Sequence, residues 1–174
     1  MAALGKFDAL HSGHRALALE AAALANRINA SGKSCLVCMF SFSGMAESFG
    51  WPMRLPVVAQ ADRERVLQQW GGAIGMRILD FVVPFQAIRK LPPEDFVKLL
   101  HSMGIEAVVT GQDYRFGYKA AGDTLLLKRL CAERGMHAST VSLVPQDVSK
   151  QNASTTSCSD ILPTTSKQTR STAN

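Results

Sequence analysis

Apolar positions along the chain fall into short runs separated by longer stripes of helical period. Ala2-Ala-Leu-Gly-Lys-Phe7 is a brief apolar run that stops at Asp8 and predicts a strand. In residues 13–28, Leu17, Ala21, Leu24 and Ile28 recur at helical spacing among strong helix formers, with Gly32 as the stop. Ser34-Cys-Leu-Val-Cys-Met-Phe40 predicts a second strand. Residues 41–56, rich in Gly, Ser, Met and Pro, predict a long loop of the kind that often serves as a substrate lid, and residues 61–70 a helix. Further strands are expected at 78–83, 107–110 and 138–144. Between them lie helices at 92–103, opened by Pro92-Pro-Glu-Asp, and at 123–135, opened by Gly122-Asp123 and ended by Gly135. Five strands interleaved with four helices predict an α/β fold of three layers, a doubly wound five-stranded parallel sheet covered on both faces.

The alternation stops near Pro145. From residue 149 to the end nearly half the positions are Ser or Thr and only Ile161-Leu162 form an apolar pair, so residues 146–174 are expected to be a disordered, low-complexity tail behind a domain at 1–145. The longest apolar stretch, residues 16–25, is broken by Glu20 and falls short of the roughly 18 residues of a membrane span. Lys and Arg exceed Asp and Glu by 19 to 14, and the basic residues are scattered. That balance suits small anionic ligands better than nucleic acid. Of the four cysteines, Cys35 and Cys38 form a lone C-x-x-C in a strand; their odd spacing points them to opposite faces, as buried thiols rather than a metal or redox pair.

Candidate chemistry concentrates in Gly5-Lys-Phe-Asp-Ala-Leu-His-Ser-Gly-His14, between the first strand and the first helix. Ligands of open parallel sheets sit beyond the carboxyl ends of the strands, where a helix N-terminus offers free amides and the positive end of its dipole to phosphate. Gly13 admits close approach of a ligand, and His11 and His14 add imidazole donors. Taken alone, the same residues read equally well as an Asp8 helix cap beside two exposed histidines.

The segment resembles the His-x-Gly-His signature of the nucleotidylyltransferase superfamily, and its longer form is similar to the opening motif of the FMN adenylyltransferase module of FAD synthetases. Val108-Val-Thr-Gly-Gln-Asp-Tyr-Arg-Phe-Gly117, with Ala121-Gly-Asp123 behind it, resembles a second motif of that family. Gly44-Met-Ala-Glu47, Gly50-Trp51 and Asp62-Arg-Glu-Arg-Val-Leu67 stand where bacterial members have Asp-Pro-His-Pro, and they look like the plant plastid FAD synthetases. The resemblance covers about residues 4–144. It implies a Rossmann-like domain that transfers AMP from ATP to FMN, giving FAD and pyrophosphate, with Mg²⁺ as cofactor and no nucleic-acid or membrane partner. It also implies His11 and His14 as catalytic residues, Gly5, Phe7, Asp8, Gly13, Gly111, Asp113 and Arg115 at ATP, and Trp51, Phe116 and Gly117 at FMN.

The family's third motif, Ser-Ser-Thr followed two residues later by Arg, has no counterpart beyond Thr164-Thr-Ser-Lys-Gln-Thr-Arg170 and Ser171-Thr172. An active adenylyltransferase and a truncated binding remnant without turnover both accommodate this departure. A sister transferase would share the first motif and lack the second. The relatives act in chloroplasts, whereas the few residues before Gly5 leave no room for a transit peptide, which favours the cytosol unless one has been removed.

Overall fold

The computed structural model describes residues 1–30, 32, 34–52 and 57–142. Strands β1 (Ala2–Leu4), β2 (Val37–Ser43), β3 (Ile78–Pro84), β4 (Ala107–Gly111) and β5 (His137–Val141) make one parallel sheet in the order β3-β2-β1-β4-β5. Successive residues of each strand face opposite sides, and each side has its own core. Ala3, Val37, Met39, Ile78 and Val109 meet helices α1 (Ser12–Asn29) and α3 (Gln60–Ile74) on one side. Leu4, Phe40 and Val108 meet α4 (Phe85–Ile88), α5 (Pro93–Ser102) and α6 (Thr124–Ala132) on the other.

Helix α1 presents Leu17, Ala18, Ala21, Ala22 and Ala25 to the sheet. Four alanines on five buried positions give a thin face, which lets the helix axis lie close to β1 and β4 and fixes its N-terminus over the strand ends. Helix α5 begins with Pro93 at a position that needs no amide donor, and Glu94 and Asp95 complement its dipole. Helix α6 is capped by Asp123, whose carboxylate accepts from the Leu126 amide at 2.9 Å.

Several boundaries differ from the sequence expectation. Strand β1 ends at Leu4 rather than Phe7, because the chain turns at Gly5 and Phe7 adopts a left-handed backbone with φ of 31°. Part of the long loop expected at 41–56 is strand and helix. Ser41–Ser43 continue β2 because β3 pairs with it along seven residues, and helix α2 (Met45–Phe49) follows between Gly44 and Gly50. Helix α4 and a single 3₁₀ turn at Tyr118–Ala120 carry no periodic signal, being too short to show one. Cys35 lies just ahead of β2; it packs with the α1 side while Cys38 packs with the α5 side, so the pair is split as expected. Lys33, Arg54, the end of the strand predicted to reach Val144 and the whole Ser/Thr-rich segment, Thr164 to Arg170 included, lie outside the described residues.

Two adjacent glycines of α3 make opposite demands. A Cβ on Gly71 would sit 2.5 Å from the carbonyl oxygen of Met76, whereas one on Gly72 would meet nothing within 4 Å. We expect Gly71→Ala to cost about 1–3 kcal/mol through backbone displacement. Gly72→Ala should gain about 0.5–1 kcal/mol from reduced backbone entropy in the unfolded chain. Urea unfolding midpoints of the two variants check both signs.

Candidate functional site

The site is built on the carboxyl edge of the sheet, where β1 and β4 lie side by side but their following connections run to opposite faces. On the β1 side, residues 5–11 form a tight turn into α1. Gly5 is required because a Cβ there would press to 2.9 Å on the ring of Phe7, which is fully buried. Phe7 and Leu10 both have positive φ, 31° and 45°, a conformation that costs a branched or aromatic residue free energy and persists only where the surroundings impose it. Here the surroundings do so: both side chains are buried in the α1 core.

His11 ends this turn as the N-cap of α1, its Nδ1 accepting from the Gly13 amide at 3.1 Å. That bond fixes the neutral tautomer with the proton on Nε2 and directs this N–H away from the helix. His14, one turn later, stacks on His11 with ring centroids 3.8 Å apart and a tilt of 20°, and the Phe7 ring lies nearly perpendicular to it, with centroids 4.9 Å apart. Burial, then the neighbouring His11 and Arg63, lower the His14 pKa from 6.5 to about 4, with Asp8 opposing. His14 is therefore a neutral imidazole stacked on His11. The first turn of α1 holds no acidic residue, and the helix itself gives the amides of Ser12 and His14 no acceptor. Asp8 does not cap α1; it pairs on the surface with Lys6 at 2.9 Å.

On the β4 side, the segment from Gly111 to Gly122 folds back on itself. Phe116 and Gly122 exchange two backbone hydrogen bonds, of 3.1 and 2.9 Å, and the Gly122 backbone lies directly against the Phe116 ring. Gly117, at φ of 76°, lies against Pro93, where a Cβ would come within 2.8 Å. Phe116 is thus a core residue between Phe96 and Tyr114, and Gly117 is required by packing against α5. Packing within the chain therefore accounts for both positions. The Phe7 ring likewise lies in the core, in an edge-type contact with His14. Asp113 and Arg115 are exposed. Among the described residues Asp113 has no hydrogen-bonding partner, while Arg115 lies 4.0 Å from the Asp123 carboxylate.

Trp51, half exposed, stacks on Phe49 at 4.8 Å. From there a row of rings runs along the carboxyl edge through Phe85, Phe42, Phe96 and Phe116 to Tyr114, neighbours being 5.3 to 6.4 Å apart. The row links the Trp51 end of the site to the β4 end. Phe85 was missed in sequence because α4, which it opens, is too short to show a period. Arg63 and Asp80 were also missed. Arg63, on α3, is 7% exposed, with Nε and Nη2 on the two Asp80 oxygens at 2.8 and 2.9 Å and Nη1 on the Phe7 carbonyl at 2.6 Å. A visible signal was the lone carboxylate in the apolar run Ile78-Leu-Asp-Phe-Val-Val83. Among the described residues no group of three or more His, Cys, Asp or Glu side chains could hold a metal ion.

The strand order and the layers of helices define the chain as a doubly wound α/β protein. A family model described as FAD synthetase matches residues 1–157, and the chain belongs to that family. It is 42% identical over 144 residues to FAD synthetase 1, chloroplastic, and 45% identical over 144 residues to FAD synthetase 2, chloroplastic, both of Arabidopsis thaliana. Each alignment covers 82% of this chain but only 38% and 36% of those relatives, so the chain spans less than two-fifths of their length. A solved structure titled a macrolide-efflux protein, from Streptococcus pneumoniae, shares the fold at a TM-score of 0.63 and 22% identity, covering 84% of this chain and 47% of that one. No helix among the described residues is long and apolar enough to cross a membrane.

The lowered His14 pKa has a measurable consequence. Between about pH 6.5 and 4 the unfolded chain binds the proton and the folded one does not, so stability falls as pH drops through that window and levels off below it. Urea midpoints at pH 7, 5.5 and 4 should show this slope in the wild type, and His14→Gln should be flatter by the His14 share. An NMR titration of the His14 ring should give a midpoint near 4; a midpoint near 6.5 would contradict the burial described above.

Proposed function

We propose that the chain is an FMN adenylyltransferase, joining AMP from ATP to FMN to give FAD and pyrophosphate. Family membership supports the reaction class. The observation that carries the reading to this chain's own residues is the stacked His11–His14 pair at the N-terminus of α1, on the sheet edge it shares with the Gly111–Gly122 segment.

The FMN phosphate is already anionic and can attack the ATP α-phosphorus in line, displacing pyrophosphate without a covalent enzyme intermediate. The chain's task is to hold the two phosphates together and to stabilise charge that grows on the α-phosphate and the leaving pyrophosphate. The amides of Ser12 and His14 in the first turn of α1 bind phosphate oxygens, while the Gly13 amide holds His11 and its missing Cβ makes room for the His11 ring. The Nε2–H of His11 donates to the same region. His14, neutral above about pH 4, can donate a hydrogen bond without carrying a proton that has to be lost. Gly5, Phe7 and Asp8 shape the turn, and Gly111, Asp113 and Arg115 face the nucleotide from the β4 side. Trp51, at the exposed end of the aromatic row, offers a stacking face to a flat flavin ring. Phe116 and Gly117 support the opposite wall through packing.

A magnesium ion fits this set, since it is ordinarily held by one or two carboxylates together with substrate phosphates, and the Asp113 carboxylate is exposed and without a partner among the described residues. Bound there, it would supply charge neutralisation of the triphosphate. The plastid location named for both relatives makes the chloroplast the compartment we assign.

Purified protein given ATP, FMN and Mg²⁺ should form FAD, followed by chromatography. His14→Ala should lower kcat by about a hundred- to a thousandfold, the loss typical of one charge-stabilising donor. Bound ATP or FMN without any FAD would overturn the catalytic reading in favour of a binding remnant. Formation of a different nucleotide-linked product would point to a sister transferase.

A further inference from the structure

We propose that Arg63 is a positioning residue for the histidine pair, and that its buried fork to Asp80 and the Phe7 carbonyl sets the geometry of the turn from which His11 and His14 project. The inference rests on the adenylyltransferase reading for its kinetic side and on geometry alone for its structural side.

Three observations converge on Arg63. Each of its guanidinium nitrogens has a partner: Asp80 takes two in a bidentate pair, and the Phe7 carbonyl takes the third at 2.6 Å. The paired side chains are nearly sealed, 9% and 18% exposed, so the bond is held in a fixed geometry rather than sampled among solvated conformers. The carbonyl it grips belongs to Phe7, a left-handed aromatic residue whose ring packs nearly perpendicular to that of His14, centroids 4.9 Å apart. A carbonyl that reoriented would let φ of Phe7 relax towards its ordinary range, carry the ring away from His14 and loosen the stack on His11. The brace thus reaches the histidines through one residue, without touching any reacting atom.

The neighbouring Arg65 shows what an unbraced arginine on the same helix looks like. It pairs with Asp62 on the surface, with its side chain 79% exposed, and reaches neither β3 nor the turn. Sequence adjacency therefore does not account for Arg63. Its placement on the sheet-facing side of α3, opposite the one carboxylate of β3, does.

Removing Arg63 alone would leave the Asp80 charge buried and unpaired, so the informative variant is Arg63→Met combined with Asp80→Leu, which removes both charges and also the Phe7 bond. Two quantities are read on it: the ring-to-ring NOE between His11 and His14, and the kcat and KM for FMN. We expect a folded protein in which the NOE is lost and kcat falls about 10- to 100-fold, the cost of roughly 1 Å of misplacement, with KM for FMN within about twofold. Asp80→Asn, which keeps an acceptor beside the guanidinium and spares the Phe7 bond, should retain the NOE and most of kcat, and Arg65→Ala should match the wild type in both. A double variant that keeps the NOE and the wild-type kcat per folded molecule overturns the proposal. If the double variant does not fold, Arg63→Lys, which keeps the charge but not the fork, is read by the same two measurements with the same outcomes. Should the wild type make no FAD, the functional reading fails, and the NOE alone decides the positioning: its loss upholds the brace and its persistence refutes it.

Discussion

A strained turn cannot hold itself. Residues 5–11 bring two bulky side chains, Phe7 and Leu10, into left-handed backbone, and nothing local favours that arrangement. What imposes it is burial of both side chains from the α1 side, together with a guanidinium bond from α3 to the Phe7 carbonyl. Every feature of the candidate site on this edge follows from that constraint: where α1 starts, which way His11 faces, and why His14 lies against an aromatic ring in surroundings that favour its neutral form. The sheet supplies the platform, since β1 is only three residues long and releases the chain directly above the crevice.

The two sides of the crevice are supported from opposite faces of the sheet. The histidine turn sits on the alanine-lined α1 layer, and the Gly111–Gly122 segment sits on the aromatic α5–α6 layer. Phe116 and Gly117 show how tightly the second layer is built. Both belong to a motif that resembles a ligand-binding one, yet their contacts are with Phe96, Tyr114, Gly122 and Pro93. A motif position can be demanded by the wall behind a site as well as by the ligand in front of it. Asp113 and Arg115 are among the exposed members of the same segment.

Much of this was legible in sequence. The alternation of apolar runs and helical stripes gave the order of the five strands and four main helices, because buried parallel strands and amphipathic helices write different periods into the chain. Short elements escaped: α2 and α4 have five and four residues, fewer than two helical turns, and cannot show a period. The turn motif announced a site through Gly5, Gly13 and the histidines. It could not announce that Phe7 packs against His14, since backbone handedness at a non-glycine residue leaves no compositional trace. Arg63 was hidden for a related reason. Its partner Asp80 is 17 residues away, and only the parallel pairing of β3 with β2 brings the carboxylate to the α3 face.

The two tryptophans divide the molecule optically. Trp70 packs against the α1–α3 core, while Trp51 stands half exposed at the end of the ring row on the other side. Their emission should differ in colour, the partly sheltered indole bluer and the solvated one redder, so a single unlabelled sample carries one reporter for the framework and one for the edge where ligands would arrive. A flavin stacked at Trp51 would darken the red component most, by direct contact with that ring. The chain's own fluorescence can thus separate occupancy of that edge from loosening of the core behind it.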